Sequence, residues 1–194
     1  MRALLLGSIA SGVITTAAHA QAGFDLVQLM QGLAQVRSGE AMFTEQRHST
    51  LFEQTLDSSG RLSFAAPDSF VRETLKPRRE RLAVAGNQLT LTQGGRTRVI
   101  ALDATPQAAV VVDAIRCTLS GNRELLERTF KVAVTGTSHA WRLELVPRDF
   151  ALLAVVRSIG VTGRNALVRE VHVLMADGDR SVMTIEPLPA GIRP

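Results

Sequence analysis

Tyrosine is absent from this 194-residue chain, tryptophan occurs once, and aromatic residues make up only 4% of it. A surface that grips single-stranded nucleic acid needs rings interleaved with its basic residues. No such interleaving is present, so nucleic acid is not an expected partner. Cysteine also occurs once, as Cys117, which cannot close an intrachain disulfide. After residue 20 the histidines are His48, His139 and His172, too scattered for the spacing of a zinc site. Neither a metal nor a cofactor is expected. Apolar runs stop well short of the roughly 20 residues a membrane-spanning helix needs. Lysine is nearly missing, with Lys76 and Lys131 alone among 22 basic residues. Arginine therefore carries the basic excess and stays protonated at any relevant pH.

What is present is an ordinary globular composition, 45% hydrophobic and 21% charged, on a chain long enough to bury a core without staples. Met1-Arg2, the apolar run from Ala3 to Val13 and the small residues of Ala18-His19-Ala20 read as a secretory signal with cleavage after Ala20. Residues 21–194 would then form one exported, periplasmic domain. Losing Arg2 lowers the formal charge from +4 to +3. The densest basic stretch, Lys76-Pro77-Arg78-Arg79-Glu80-Arg81, could face phosphates or anionic lipid headgroups, but with no interleaved aromatics and Glu80 interrupting it the reading preferred is a solvated turn.

Apolar spacing at Phe24, Val27, Met30, Leu33 and Ala34 predicts an amphipathic helix ending near Ser38-Gly39. From Glu40 the period becomes two, and Ser58-Ser59-Gly60 reads as the turn of a hairpin over residues 50–65. Strands follow at Phe70–Leu75, Arg81–Ala85, Gln88–Thr92 and Thr97–Leu102. Thr105-Pro106 starts a helix with the stripe Ala108, Val111, Val112, Ile115 and Leu119, closed by Gly121, and Arg123–Thr129 forms a second. Strands resume at Val132/Val134, Trp141/Leu143/Leu145, Val155–Val161, Leu167–Met175 and Ser181–Ile185. Up to eleven antiparallel strands with a helix before them and a helical pair between them make an α+β fold. A sheet that long curls, and helices on its concave side would cover one apolar face.

Catalytic patterns are missing. There is no G-x-S-x-G elbow and no phosphate-cradling glycine loop, and Asp57, Asp68, Asp103 and Asp113 are scattered over turns and helix starts where capping explains them. Cys117 lies near the helical stripe without a histidine and reads as buried and inert. No catalytic residue is assigned. An exported protein with apolar strand faces and amphipathic helices fits a carrier of an apolar ligand.

Phe43-Thr44-Glu45-Gln46, then Ser59-Gly60-Arg61-Leu62-Ser63-Phe64-Ala65-Ala66-Pro67-Asp68-Ser69-Phe70, Thr74-Leu75-Lys76-Pro77 and Gly86-Asn87-Gln88-Leu89-Thr90-Leu91 run in the order and spacing of one family. The chain resembles the outer-membrane lipoprotein carrier family LolA, in a divergent branch. The resemblance implies an incomplete β-barrel lidded by helices, with no enzymatic activity, that shields the acyl part of a lipoprotein or lipid-like cargo between an inner-membrane donor and an outer-membrane acceptor, acting as a monomer. Leu62, Phe64, Leu82, Val84, Leu89, Leu91, Trp141, Leu143 and Leu145 are the expected lining, with Val111, Ile115 and Leu119 on the lid. The family contacts its donor at the position of Phe70, a residue that reads equally as strand core. Its lid-bonding arginine, before the loop proline, is here Ala66. Two other classes stay open: a binding or sensor module of the same fold acting on a protein partner, with a filled core, and an enzyme acting on a lipid or polyene, which needs an acid–base pair in the cavity.

Overall fold

The computed structural model describes residues 24–51 and 54–189. The export segment 1–20 and the strand positions Phe52 and Glu53 lie outside the described residues. Helix α1 (Leu26–Leu33) is followed by β1 (Ser38–Ser49), β2 (Gln54–Ala65), β3 (Ser69–Lys76), β4 (Glu80–Ala85), β5 (Gln88–Gln93) and β6 (Arg96–Ala101). A 3-10 turn at Leu102–Ala104 leads into α2 (Pro106–Ser120) and α3 (Arg123–Thr129). Then come β7 (Phe130–Thr137), β8 (Ala140–Pro147), the short α4 (Phe150–Leu153), β9 (Val156–Arg164), β10 (Leu167–Met175) and β11 (Arg180–Pro187).

The fold is α+β, with one open sheet of eleven strands in the order β6-β5-β4-β3-β2-β1-β11-β10-β9-β8-β7. Every pairing is antiparallel. Two meanders are joined at the centre by the first and last strands, where Phe43 stands opposite Ile185. β6 and β7 are the two edges, and α2 and α3 carry the chain from one to the other.

Directly opposed residues share a sheet face. Following the register from Phe43 to Ile185, and from Met183 two residues before it through Val171, Val161 and Leu143, marks one apolar face across the second meander. Its main core joins Trp141, Leu143, Leu145, Val156, Ile159 and Val161 to Leu29, Met30 and Leu33 of α1 and to Val110, Ala114 and Cys117 of α2. A second cluster holds Ala41, Phe43 and Leu62. A third holds Val84, Leu89 and Leu102, against which Ala108, Ala109 and Val112 of α2 pack.

Several sequence expectations need correction. The hairpin of β1 and β2 reverses between Ser49 and Gln54, so Ser58-Ser59-Gly60 is strand, not turn. Gly60 is there for close approach: a Cβ on it would run into the Glu73 carbonyl and come within 2.9 Å of the Phe43 ring. β2 also slips register against β3 between Ser59 and Gly60, as bulged strands do. In α1 the buried positions are Leu29, Met30 and Leu33, while Val27 of the expected stripe is 37% exposed. Leu26, Leu29, Met30 and Leu33 also have helical spacing, and packing on the core selects that stripe. α1 is also shorter than its apolar pattern, ending at Leu33 with Ala34 as cap. Thr105 precedes Pro106 but makes no side-chain cap, although its carbonyl accepts from Ala109 N at 2.9 Å. Leu102 leaves the strand and is buried in the 3-10 turn. Gly121 does close α2 in the left-handed conformation, φ 66°. α1 packs so close there that a Cβ would strike the Met30 carbonyl and Ala34.

Two stability predictions follow from this packing. Gly60→Ala should lower unfolding stability by about 2 kcal/mol, because it overpacks a rigid backbone, whereas Gly39→Ala, with open space at its Cβ, should leave it unchanged or slightly raised. Equal urea midpoints for the two variants would refute the close-approach role. Cys117 is 1% exposed, and burial, assisted by the nearby Asp113 carboxylate, pushes its thiol up to about 11 from the ordinary 9.0. The folded state therefore holds this proton more tightly than the unfolded one. Its contribution is whole below pH 9, is lost as pH rises from 9 towards 11, and amounts to about 2 to 3 kcal/mol. Cys117→Ala should show a shallower loss of stability over that window; the same slope in both proteins would exclude the thiol as its source.

Candidate ligand-binding site

Between the main core and the second cluster the apolar face is not filled. A pocket opens there with a cavity volume of about 130 Å³, smaller than the roughly 300–1,000 Å³ typical of sites that enclose a small molecule. β1 contributes Gly39 and Ala41, β2 Leu62 and Phe64, and β3 Phe70. β11 contributes Met183 and Ile185, β10 Val168 and Val171, and β9 Val161. Ile115, Thr118 and Leu119 of α2 form the opposite wall. Thr118 donates its hydroxyl to the Ala114 carbonyl at 2.7 Å, so its hydrogen-bonding need is met within the helix. A narrower cleft shares Phe64, Phe70, Ile115 and Leu119 with the pocket and extends it to Asp68 and Arg116.

Glu40 is the single titratable side chain on the pocket wall. An acid–base pair for proton transfer needs a second group within reach; among the described lining residues there is none. Nor do the described residues contain a cluster of three His, Cys, Asp or Glu able to hold a metal.

The structure distributes the expected lining residues over three places. Leu62, Phe64, Ile115 and Leu119 meet in the pocket, and Phe70, expected at a partner contact, stands in its wall opposite Phe64. Val84 and Leu89 are closed off in the third cluster with Leu82 against them, and Leu91 lies farther out beside an arginine-lined groove. Trp141, Leu143 and Leu145 are at most 2% exposed in the main core, and Val111 packs against that core. A charge at Leu143 would unfold the core before it touched a ligand. Val161, Val171, Met183 and Ile185 were missed, although they lie on strands whose alternation was visible. The cleanest alternation, at Trp141-Leu143-Leu145, marks the most complete burial and hence filled core.

α2 is also tied to the sheet by polar contacts. Arg116 donates from Nη2 to the Gly86 carbonyl at 2.8 Å, in the turn between β4 and β5, and the Gly86 N–H donates to Asp68 Oδ2 at 3.1 Å. Asp113, one turn earlier, sits 3.8 Å from Arg116 Nη1. Burial raises the Asp113 carboxyl and Arg116 opposes that rise. Arg116 Nε is buried with no partner. At Ala66 the backbone N–H instead donates to the Arg37 carbonyl at 2.8 Å. The fastening of α2 near the pocket thus comes from an arginine on the helix reaching a strand turn.

The family model described as "Outer membrane lipoprotein carrier protein LolA-like" matches residues 17–185. The chain belongs to that family. No curated protein matches this LolA-like chain. Among solved structures it is similar to an outer membrane lipoprotein-sorting protein domain from Vibrio parahaemolyticus, at 9% identity, TM-score 0.48, covering 87% of this chain and 92% of that one. A LolA superfamily protein from Nitrosomonas europaea aligns at 9% identity, TM-score 0.43, covering 85% and 93%. The Pseudomonas aeruginosa MucA/MucB complex aligns at 13% identity and TM-score 0.47; 87% of this chain is covered, and it spans 57% of that one. These likenesses are distant, and membership rests on the family match. No helix among the described residues is long and apolar enough to cross a membrane.

Arg116→Met should keep the stem's packing, remove the bond to Gly86 and cost about 1.5 kcal/mol, the scale of a hydrogen bond to a charged group. Amide exchange in α2 should accelerate more than in β8 and β9. Uniform acceleration throughout the protein would mean that Arg116 does not fasten the helix locally.

Proposed function

We propose that this protein is a non-enzymatic periplasmic carrier that shields the acyl or other apolar part of a lipoprotein, lipid or lipid-like cargo on its way to the outer membrane. The observation that carries this reading is the pocket beneath α2, built from aliphatic and aromatic side chains of six strands and a helix with no paired titratable groups. Removing each CH₂ of a chain from water is worth roughly 0.8 kcal/mol, so even a partly covered acyl chain gains several. Leu62, Phe64, Ile115 and Leu119 would touch the cargo directly, while Leu82, Val84, Leu89, Leu91, Val111, Trp141, Leu143 and Leu145 would form the surface on which that lining rests.

The sheet would act as an incomplete barrel with α2 and α3 as its lid. Residues 1–20 would direct export, leaving 21–194 as a single monomeric domain. An inner-membrane donor would load it, with Phe70 near the point of contact, and an outer-membrane acceptor would unload it.

The test is to purify the exported protein from its native host without detergent and analyse its organic extract by mass spectrometry. A stoichiometric lipid, acylated peptide or pigment is expected. Leu119→Glu should weaken uptake of a fluorescent fatty-acyl probe at least tenfold while thermal unfolding remains cooperative. A clean apo-protein that takes up no probe would overturn the carrier reading and favour a binding module acting on a protein partner.

A further inference from the structure

Four arginines converge at the β6 edge of the sheet, away from the pocket. Arg78 and Arg79 come from the turn between β3 and β4, Arg96 and Arg98 from β6, and with Gln93 and the half-buried Leu91 they line an open groove. Arg98 stands opposite Leu91 and Arg96 opposite Gln93. All four arginines are exposed. Among the described residues, none of them has a carboxylate within ion-pair distance, whereas Arg72, Arg116, Arg123 and Arg142 are paired with Glu45, Asp113, Glu127 and Glu144. Glu80, in register with Gln93 at the end of β4, accepts a hydrogen bond from Gln93 Nε2 at 3.0 Å. The sequence alone leaves Arg78 and Arg79 between a solvated turn, the preferred reading, and a contact with phosphates or lipid headgroups; the hairpin of β5 and β6 brings two more guanidinium groups to them.

Unneutralised like charges repel, and an anionic partner relieves them. Guanidinium groups match phosphate oxygens in pairs. The surroundings narrow the choice of partner. The cross-strand row Arg98, Leu91, Leu82, Arg72, Leu62 runs along a single sheet face from the arginine edge to the pocket. Four strand spacings make that roughly 19 Å. Cation first, then mainly apolar surface, is the order in which a phospholipid leaflet presents its complement, phosphate and then hydrocarbon. We propose that the arginine edge docks this protein on the surface of a bilayer containing anionic phospholipid, the guanidinium groups taking the lipid phosphates. The proposal is independent of what fills the pocket.

Cosedimentation of the purified chain with phosphatidylcholine vesicles, with and without phosphatidylglycerol, tests it. Binding should require phosphatidylglycerol and fall with added salt. Each arginine near an anionic surface is worth about fivefold in partitioning, so the double variant Arg96→Gln/Arg98→Gln should bind roughly 25-fold more weakly. Arg164→Gln, an exposed arginine elsewhere, should be affected far less. Thermal unfolding and uptake of the acyl probe should be unchanged in the double variant, since its side chains are exposed and outside the pocket. Absence of wild-type binding to phosphatidylglycerol vesicles would overturn the proposal, as would undiminished binding by the double variant. Saturable binding of monomeric short-chain phosphatidylglycerol without vesicle binding would also overturn it, in favour of a single-lipid site. Capture on immobilised polyglutamate without vesicle binding would overturn it in favour of an acidic protein partner.

Discussion

β1 pairs with β11 over eight residue positions, from Ala41 opposite Pro187 to His48 opposite Arg180, and the rest of the molecule is arranged around that pairing. It joins the start of the chain to its end and turns two meanders into one sheet. Its register puts Phe43 against Ile185, so the apolar faces of both halves become continuous. A slip of one residue would send every side chain of one half to the opposite face. The pocket depends on this directly, because its walls come from both sides of the seam: Leu62, Phe64 and Phe70 from one, Val161, Val171 and Met183 from the other.

α2 is the second constraint. The small residues Ala114 and Cys117 let it lie against the core with Val110, while Ile115 and Leu119, on an adjoining part of its surface, face the pocket. At its other end Ala108, Ala109 and Val112 rest on Val84, Leu89 and Leu102. The helix thus rests on the core along one side and on the third cluster near its start, while Ile115, Thr118 and Leu119, towards its end, border the pocket. Arg116 adds a polar fastening beside that space, with Gly86 as its acceptor. The buried Arg116 Nε without a partner marks a fastening that is not fully satisfied.

The polar features of the apolar face lie towards one end. Arg72 meets Glu45 at 2.6 Å and stacks over Phe43, 4.8 Å from the ring centroid. Ser58 joins the same group, donating to Glu45 and accepting from Arg72. Beyond it lie the arginines of the β6 edge. The face therefore passes from packed core through open apolar pocket to charge.

Much of this was legible locally. Eleven strands, the helix before them, the helical pair in their middle and the left-handed cap at Gly121 follow from period, turn chemistry and conformational preference, each determined by neighbours in sequence. The family resemblance rests on the same kind of short-range pattern, over residues 41–91. Gly60 was misread because a glycine needed for close approach and a glycine needed for a turn look alike until the strand beside it is known. The choice between core and cavity could not be read either. Trp141, Leu143 and Leu145 alternate as Leu62 and Phe64 do, but alternation records only which face a side chain is on. Whether that face meets a helix or an open space depends on what the long-range β1–β11 pairing and the crossing of α2 bring opposite it. The sequence by itself determined the elements, their polarity and the family; the tertiary structure alone decided where the apolar face is filled, where it stays open, and which arginines stand together, because those depend on contacts between residues far apart in the chain.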